Sequence, residues 1–193
     1  MTASNFLACF NATESYEGGY VDNPHDPGGA TLKGVTQAVY TAWLIRQGRV
    51  ATSPAGKWVK YATDADIQAI YREQYWNAVR GDDLYAGLDL VMVDYGWGSG
   101  PVTAIRALQR QLMIDVDGQF GLETLAALKP FENSASFINL LCAARMSFFQ
   151  KLTTWKYFGA GWTKRLNGIH ETALEMNAAA RANAQPKVAV LGD

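Results

Sequence analysis

The chain is poor in the residues that build metal centres and disulfide frameworks. It has two cysteines and two histidines among 193 residues. Cys9 and Cys142 sit in the apolar stretches "FLACF" and "NLLCAAR", outside any CxxC or other metal spacing. They read as reduced core residues of a protein made in the cytosol, although spacing alone leaves a disulfide between them open. There is no HExxH, and no Cys/His/Asn arrangement surrounds either cysteine. A zinc hydrolase and a cysteine peptidase are therefore disfavoured, and neither a metal nor a cofactor is expected. Excess charge is also lacking: 17 Lys and Arg against 18 Asp and Glu leave a net charge of -1, so no pull towards nucleic acid or an anionic membrane is expected. No run approaches the ~18 apolar residues of a membrane span. The opening "MTASNFLACFNATES" lacks the charged and apolar regions of a typical signal peptide. Synthesis in the cytoplasm is expected, and work elsewhere would need release or export.

What remains suits a helical protein of ordinary size, with 49% hydrophobic residues and no repeat, low-complexity tract or long linker. Residues 1–90 hold 7 basic and 10 acidic residues, and residues 91–193 hold 10 and 8, a mild asymmetry. Apolar spacing and capping residues predict helices over Ser4–Tyr16, with Gly18-Gly19 as C-cap, over Thr36–Gly48, and over "DADIQAIYREQYWNAV" behind Thr63. They continue over Leu88–Trp97, where a buried strand is the alternative, from Pro101 through "VTAIRALQRQLM", over Leu122–Leu128, over Ser134–Leu152 and over Gly161–Ala180. Residues 49–62 read as irregular. The expected organisation is an N-terminal lobe at 1–86, a helical lobe at 87–180 and a flexible tail at 181–193.

One segment fits no scaffold need. "ESYEGGYVDNPHDPGGATLKGVT", Glu14 to Thr36, holds five glycines, two prolines and four carboxylates. It reads as a loop or short β-hairpin, and such loops usually carry function. Glu17 falls at the C-terminal end of the first helix, where the macrodipole disfavours negative charge. Tyr16 and Tyr20 flank it and Glu14 lies one turn back, so its surroundings are expected to favour a protonated carboxyl. The glycines leave room for a bulky polymer. Asp26, in the polar "DPGG" turn, is expected to stay ionised. Two carboxyls in unlike environments form the acid-plus-base arrangement of glycoside hydrolysis. A helix end followed by a routine turn would look much the same.

This block resembles the signature of glycoside hydrolase family 108, lysozyme-like N-acetylmuramidases of bacteria and phages. The resemblance continues through "AIYREQYWNAVRGDDL" and "VMVDYGWGSGPVTAIRALQRQL". It then covers "DVDGQFGLETLAAL", similar to the peptidoglycan-binding segment that closes the family, and ends near "FGAGWTKRLNGI". It implies a mainly α, lysozyme-like two-lobed domain whose active site sits on the loop or hairpin. It implies Glu17 as the catalytic acid. By the spacing of the wider phage lysozymes it implies Asp26 and Thr31 as its catalytic partners. The implied activity is cleavage between N-acetylmuramic acid and N-acetylglucosamine, in the manner of a phage or prophage endolysin, with peptidoglycan glycan strands as partner and functional dependence on a holin or export system. A lytic transglycosylase, or a secretion-assisting wall-binding protein with little catalysis, are the alternatives.

Two departures stand out: the chain reads Asp22-Asn23 where the family usually has Asn-Asp, and Gly98 follows Trp97 where the family usually has Asn. Trp97, among glycines, is the best candidate for a sugar platform, with Tyr20 and Asp94 as further substrate contacts. The other tryptophans read as core. In "DVDGQFGLET", Gly118 and Gly121 are expected in backbone conformations that favour glycine, with Thr124 helping to cap a purely structural turn.

Overall fold

The computed structural model describes residues 5–22, 29–49 and 58–184. Eight α-helices and one two-stranded antiparallel sheet make up the regular structure of these residues, with short 3₁₀ and π segments between. The mainly α, lysozyme-like architecture is as the sequence implies.

Helix α4, Leu88–Ser99, is the axis of the fold. Its residues from Leu88 to Gly96 are all buried. A helix apolar on every side must be covered on every side, and α4 is packed by α1 (Phe6–Glu14), α5 (Pro101–Leu112), α7 (Ala135–Gln150) and α8 (Trp155–Ala184). At its start Gly87 has φ +90°, and a Cβ there would lie 2.2 Å from the carbonyl oxygen of Ala173. Only glycine lets α8 come this close. The chain's last helix is thereby seated beside the end of its first. The expected division at residue 86 is heavily bridged: α1 and α8 both pack on α4 and on each other.

Helix α2, Gln37–Arg46, starts at Thr36, whose hydroxyl accepts from the Val39 N–H. Helix α3, Asp64–Ile70, opens with a capping box between Thr63 and Asp66. The expected continuation to residue 79 does not stay α-helical, because Tyr71–Trp76 widens into a π-helical turn. The first helix is also shorter than expected. It leaves through Ser15 in the right-handed region, and neither Gly18 nor Gly19 takes the positive φ of a glycine C-cap. In the last helix the surplus runs the other way, starting at Trp155 rather than Gly161.

Strands β1, Thr31–Leu32, and β2, Val35–Thr36, form a hairpin. Lys33 and Gly34 both have positive φ, 48° and 79°, as a two-residue type I′ turn requires. The expected turn at 115–121 is pinned by Gln109, which accepts from the Gly118 N–H and donates to Asp117, the Gln119 carbonyl and Thr124. Gly118 has φ +81°, but Gly121 sits in ordinary extended backbone, and Thr124 bonds the Gln119 carbonyl instead of capping α6, Leu122–Leu128. Cys9 and Cys142 are buried free thiols. Trp43 and Trp76 are core as expected, whereas Trp58 is half exposed. Most of the expected flexible tail, residues 185–193, lies outside the described residues.

Candidate active site

Glu17 hangs just beyond the last turn of α1, with its N–H bonded to the Glu14 carbonyl at 2.8 Å. From there its side chain reaches the C-terminal turn of α4. The indole N–H of Trp97 donates to Glu17 Oε1 at 2.8 Å. Arg165, from α8, donates to the same oxygen through Nη1 at 2.5 Å. The Glu17 side chain is only 14% exposed and that of Arg165 17%. Glu17 Oε2 has no partner among the described residues. Because Oε1 already accepts twice, Oε2 is the oxygen left to meet a substrate.

Behind this pair stands a second carboxylate. Asp94 is fully buried. Its Oδ1 accepts from Arg165 Nε and Nη2 at 3.0 and 2.7 Å, and its Oδ2 accepts from Arg145 Nη1 at 2.6 Å. Arg145 is itself 1% exposed and sits over the rings of Tyr95 and Phe149. Burial pushes the Asp94 carboxyl up, but the two guanidiniums outweigh it and hold the group below its usual range. Burial likewise works against the charge on Arg165, and Asp94 with Glu17 overcomes it. The result is a chain of alternating charge: Arg145, Asp94, Arg165, Glu17. A buried charge costs several kcal/mol unless it is paired, so the array fixes the Arg165 fork and, through it, Glu17.

Trp97 is held from two sides. The π-helical turn brings Tyr71 and Tyr75 against its ring, with centroids 5.2 and 4.6 Å away. Inserted π turns of this kind are frequent at functional sites. From the hairpin, Gly34 lies so near that a Cβ would meet the indole nitrogen at 2.4 Å. Burial, and then the charge of Glu17, push the Tyr75 hydroxyl above its usual range, so it stays a neutral donor at the edge of the site.

The expected site residues divide into four groups. Glu17 and Trp97 meet directly. Asp94 stands behind them, with no surface for a sugar and both oxygens taken by arginines, so its place is in the support of the site, not against substrate. Tyr20 and Thr31 mark the base of the loop. Val21 and Thr31 exchange two backbone hydrogen bonds of 2.8 Å, which close the segment between them. The Thr31 hydroxyl donates to the Gly29 carbonyl at 3.2 Å, and the partly exposed Tyr20 donates to Asp22 at 3.1 Å. Asp26 lies outside the described residues. Glu14, expected to act on Glu17, is committed to Lys33 at 2.6 Å, and Lys33 also reaches Asp64.

Sequence reasoning missed Arg165, Arg145 and Tyr75. Arg145 carried a signal, as a lone charge in the apolar helix "NLLCAARMSFF", where burial demands a partner. Arg165 and Tyr75 carried none that distinguishes them from surface or core residues of the same type.

Comparison with known proteins places the whole chain. A family model described as "Glycosyl hydrolase 108" matches residues 10–100, and one described as "Predicted Peptidoglycan domain" matches residues 103–167. Among solved structures, one titled as SagA of Brucella abortus is 42% identical, with a TM-score of 0.78 over 90% of this chain and 95% of that one. No curated protein matches the chain. Glu17, Asp94 and Trp97 fall in the first matched segment, and Arg145 and Arg165 in the second.

Proposed function

Because the chain belongs to the glycosyl hydrolase 108 family and is a peptidoglycan hydrolase, we propose that its specific activity is that of an N-acetylmuramidase, cutting between N-acetylmuramic acid and N-acetylglucosamine. The observation that carries this reading is the arrangement of Glu17: one oxygen is fixed by Trp97 and Arg165 and the other is left to serve substrate. Such a group delivers a proton to a glycosidic oxygen in a set direction. Asp26, on the loop closed by Val21 and Thr31, supplies the second carboxylate as base or nucleophile. Thr31, at the loop's base, helps to orient the attacking water. The biological setting we propose is that of a phage or prophage endolysin, acting on the wall after release or export.

The test is the new chain end. Purified protein is incubated with isolated peptidoglycan, the products are reduced with borohydride, and the reduced sugar is identified. Reduced muramic acid is the expected product. Reduced glucosamine would make the enzyme a glucosaminidase, and a 1,6-anhydromuramyl end would make it a lytic transglycosylase.

A further inference from the structure

Between α5 and α7 runs an open groove of about 700 Å³. It exists because α7 presents Ala143, Ala144 and Ser147 towards α5, and these side chains are too small to fill the space between the two helices. Arg106 and Arg110, one turn apart on α5, project over it, and Lys151 stands at its end just past α7. Leu140, 46% exposed, and Phe148 give it apolar walls.

Cations without an ion pair occur elsewhere among the described residues, as at Arg46, Lys129 and Lys164, but here three of them line one groove. Arg49, Arg72, Arg80, Arg145 and Arg165 are each paired with an aspartate or glutamate. Among the described residues, the side chains of Arg106, Arg110 and Lys151 are in no ion pair or hydrogen bond. Asp117, whose charge Arg106 feels, is taken up by the Gln109 side chain and the Gln119 N–H. A chain of net charge -1 therefore gathers three uncompensated cations along one partly apolar trough. Cations near helix C-termini favour the macrodipole, which accounts for Arg110 and Lys151 singly. It does not account for Arg106 in mid-helix, or for the trough.

We propose that this groove binds the anionic peptide stem of peptidoglycan. The inference rests on the reading of the protein as a peptidoglycan hydrolase and adds where the peptide goes. In peptidoglycan the glycan is largely uncharged, because the lactyl carboxyl is bound in an amide. Free carboxylates, and small methyl groups between them, belong to the stem. Guanidinium forks suit carboxylates, and Leu140 and Phe148 suit the methyls. All the residues lining the groove except Tyr95 lie within the segment 103–167 that matches the peptidoglycan domain. At one edge the groove reaches Tyr95, the ring under Arg145, which in turn holds Asp94. A strand bound in the groove thus adjoins the charge array behind Glu17.

The experiment uses the full chain and the triple variant Arg106→Gln, Arg110→Gln, Lys151→Gln. A synthetic stem pentapeptide with free carboxylates is titrated against both by calorimetry, and its fully amidated form against the wild type. Hydrolysis is then followed on intact walls and on glycan strands stripped of peptide by an amidase. The expected result is at least about tenfold weaker peptide binding in the variant and for the amidated peptide, as the loss of one charge-assisted hydrogen bond would already give. KM on intact walls should rise by a similar factor, with turnover of peptide-free glycan unchanged. Equal peptide binding by the two proteins would overturn the proposal. So would equal loss of activity on both substrates, or binding by wild type of a soluble teichoic acid in place of the peptide. If neither substrate is cut while peptide binding is lost only in the variant, the groove stands and the hydrolase reading fails.

Discussion

Arg165 and Glu17, 148 residues apart, form an ion pair between the last helix and the first loop. The two matched segments are therefore joined by an ion pair at the candidate site. The second segment supplies the cation that holds the acid of the first. Asp94 holds that cation in turn, and Arg145 holds Asp94. Two predictions follow from this array for Arg165 itself.

Arg165→Lys keeps the charge but not the fork that spans Glu17 and Asp94. It is expected to keep the fold and to lower kcat by about tenfold, the cost of one charge-assisted hydrogen bond, with little change in KM. Arg165→Gln also removes a charge from beside Glu17. The Gln variant should therefore lose more of kcat than the Lys variant, with KM little changed in both. Melting should occur at lower temperature in the Gln variant, since Asp94 is left with one partner in a buried setting. Equal kcat in all three proteins would show that Arg165 serves structure alone.

Trp97→Phe separates two tasks. The substitution keeps a ring against Tyr71 and Tyr75 but deletes the N–H that reaches Glu17. If that bond positions the acid, kcat falls by roughly ten- to a hundredfold, as for a hydrogen bond to a charged group, and KM holds. A rise in KM with kcat intact would instead make the indole a sugar platform.

Part of this candidate site was legible in the residues. Glu17 declared itself by its place before Gly-Gly at a helix end, and Trp97 by its isolation among glycines. What could not be read was their meeting. The link between them depends on a π-helical turn at Tyr71–Trp76 and on the hairpin turn at Gly34. Neither has a sequence period of its own: the turn interrupts an otherwise helical pattern, and the hairpin is two residues per strand. Asp94 was expected to contact substrate. Its burial depends on α7 and α8, fifty to seventy residues on, and nothing local announces it. The helical scaffold was the easiest part. Long apolar faces and caps such as Thr36, Thr63 and Ser134 act within a few residues, so their physics is local.

Asp89 gives a prediction about stability. It lies buried near Cys9, accepting from Asn5, the Gly87 N–H and the Leu90 N–H. Burial raises its carboxyl from the usual 3.8 to about 6, against the effect of those bonds. The folded protein thus holds this proton more tightly than the unfolded chain does. Its contribution is fully present below about pH 4 and is lost as pH rises through about 6. The full swing corresponds to about 3 kcal/mol. Asp89→Asn should remove this dependence, because the amide oxygen still accepts from Gly87 and Leu90 and Asn5 can turn its own amide. The melting temperature of the variant relative to wild type should rise between pH 4.5 and pH 7.5. A constant difference across that range would contradict the assignment.

Asp26→Asn tests the second carboxylate. Activity on walls is expected to fall by about 10²–10⁴-fold, the span of general acid–base catalysis. Added azide should restore turnover by entering the vacated space and appear in the product as a glycosyl azide. An unchanged rate in the Asn variant would leave Asp26 a loop residue.

The central claim is that Glu17 is the proton donor, and Glu17→Gln tests it most directly. Glutamine can keep the bonds from Trp97 and Arg165 through its amide oxygen, yet it offers the glycosidic oxygen no acidic proton. The measurement is the release of reducing ends from purified walls by wild type and variant, with melting temperature and wall affinity determined on the same samples. The account predicts a rate lower by at least about 10²-fold, with folding and wall binding retained. A folded Gln variant that releases reducing ends at a rate near wild type would contradict it.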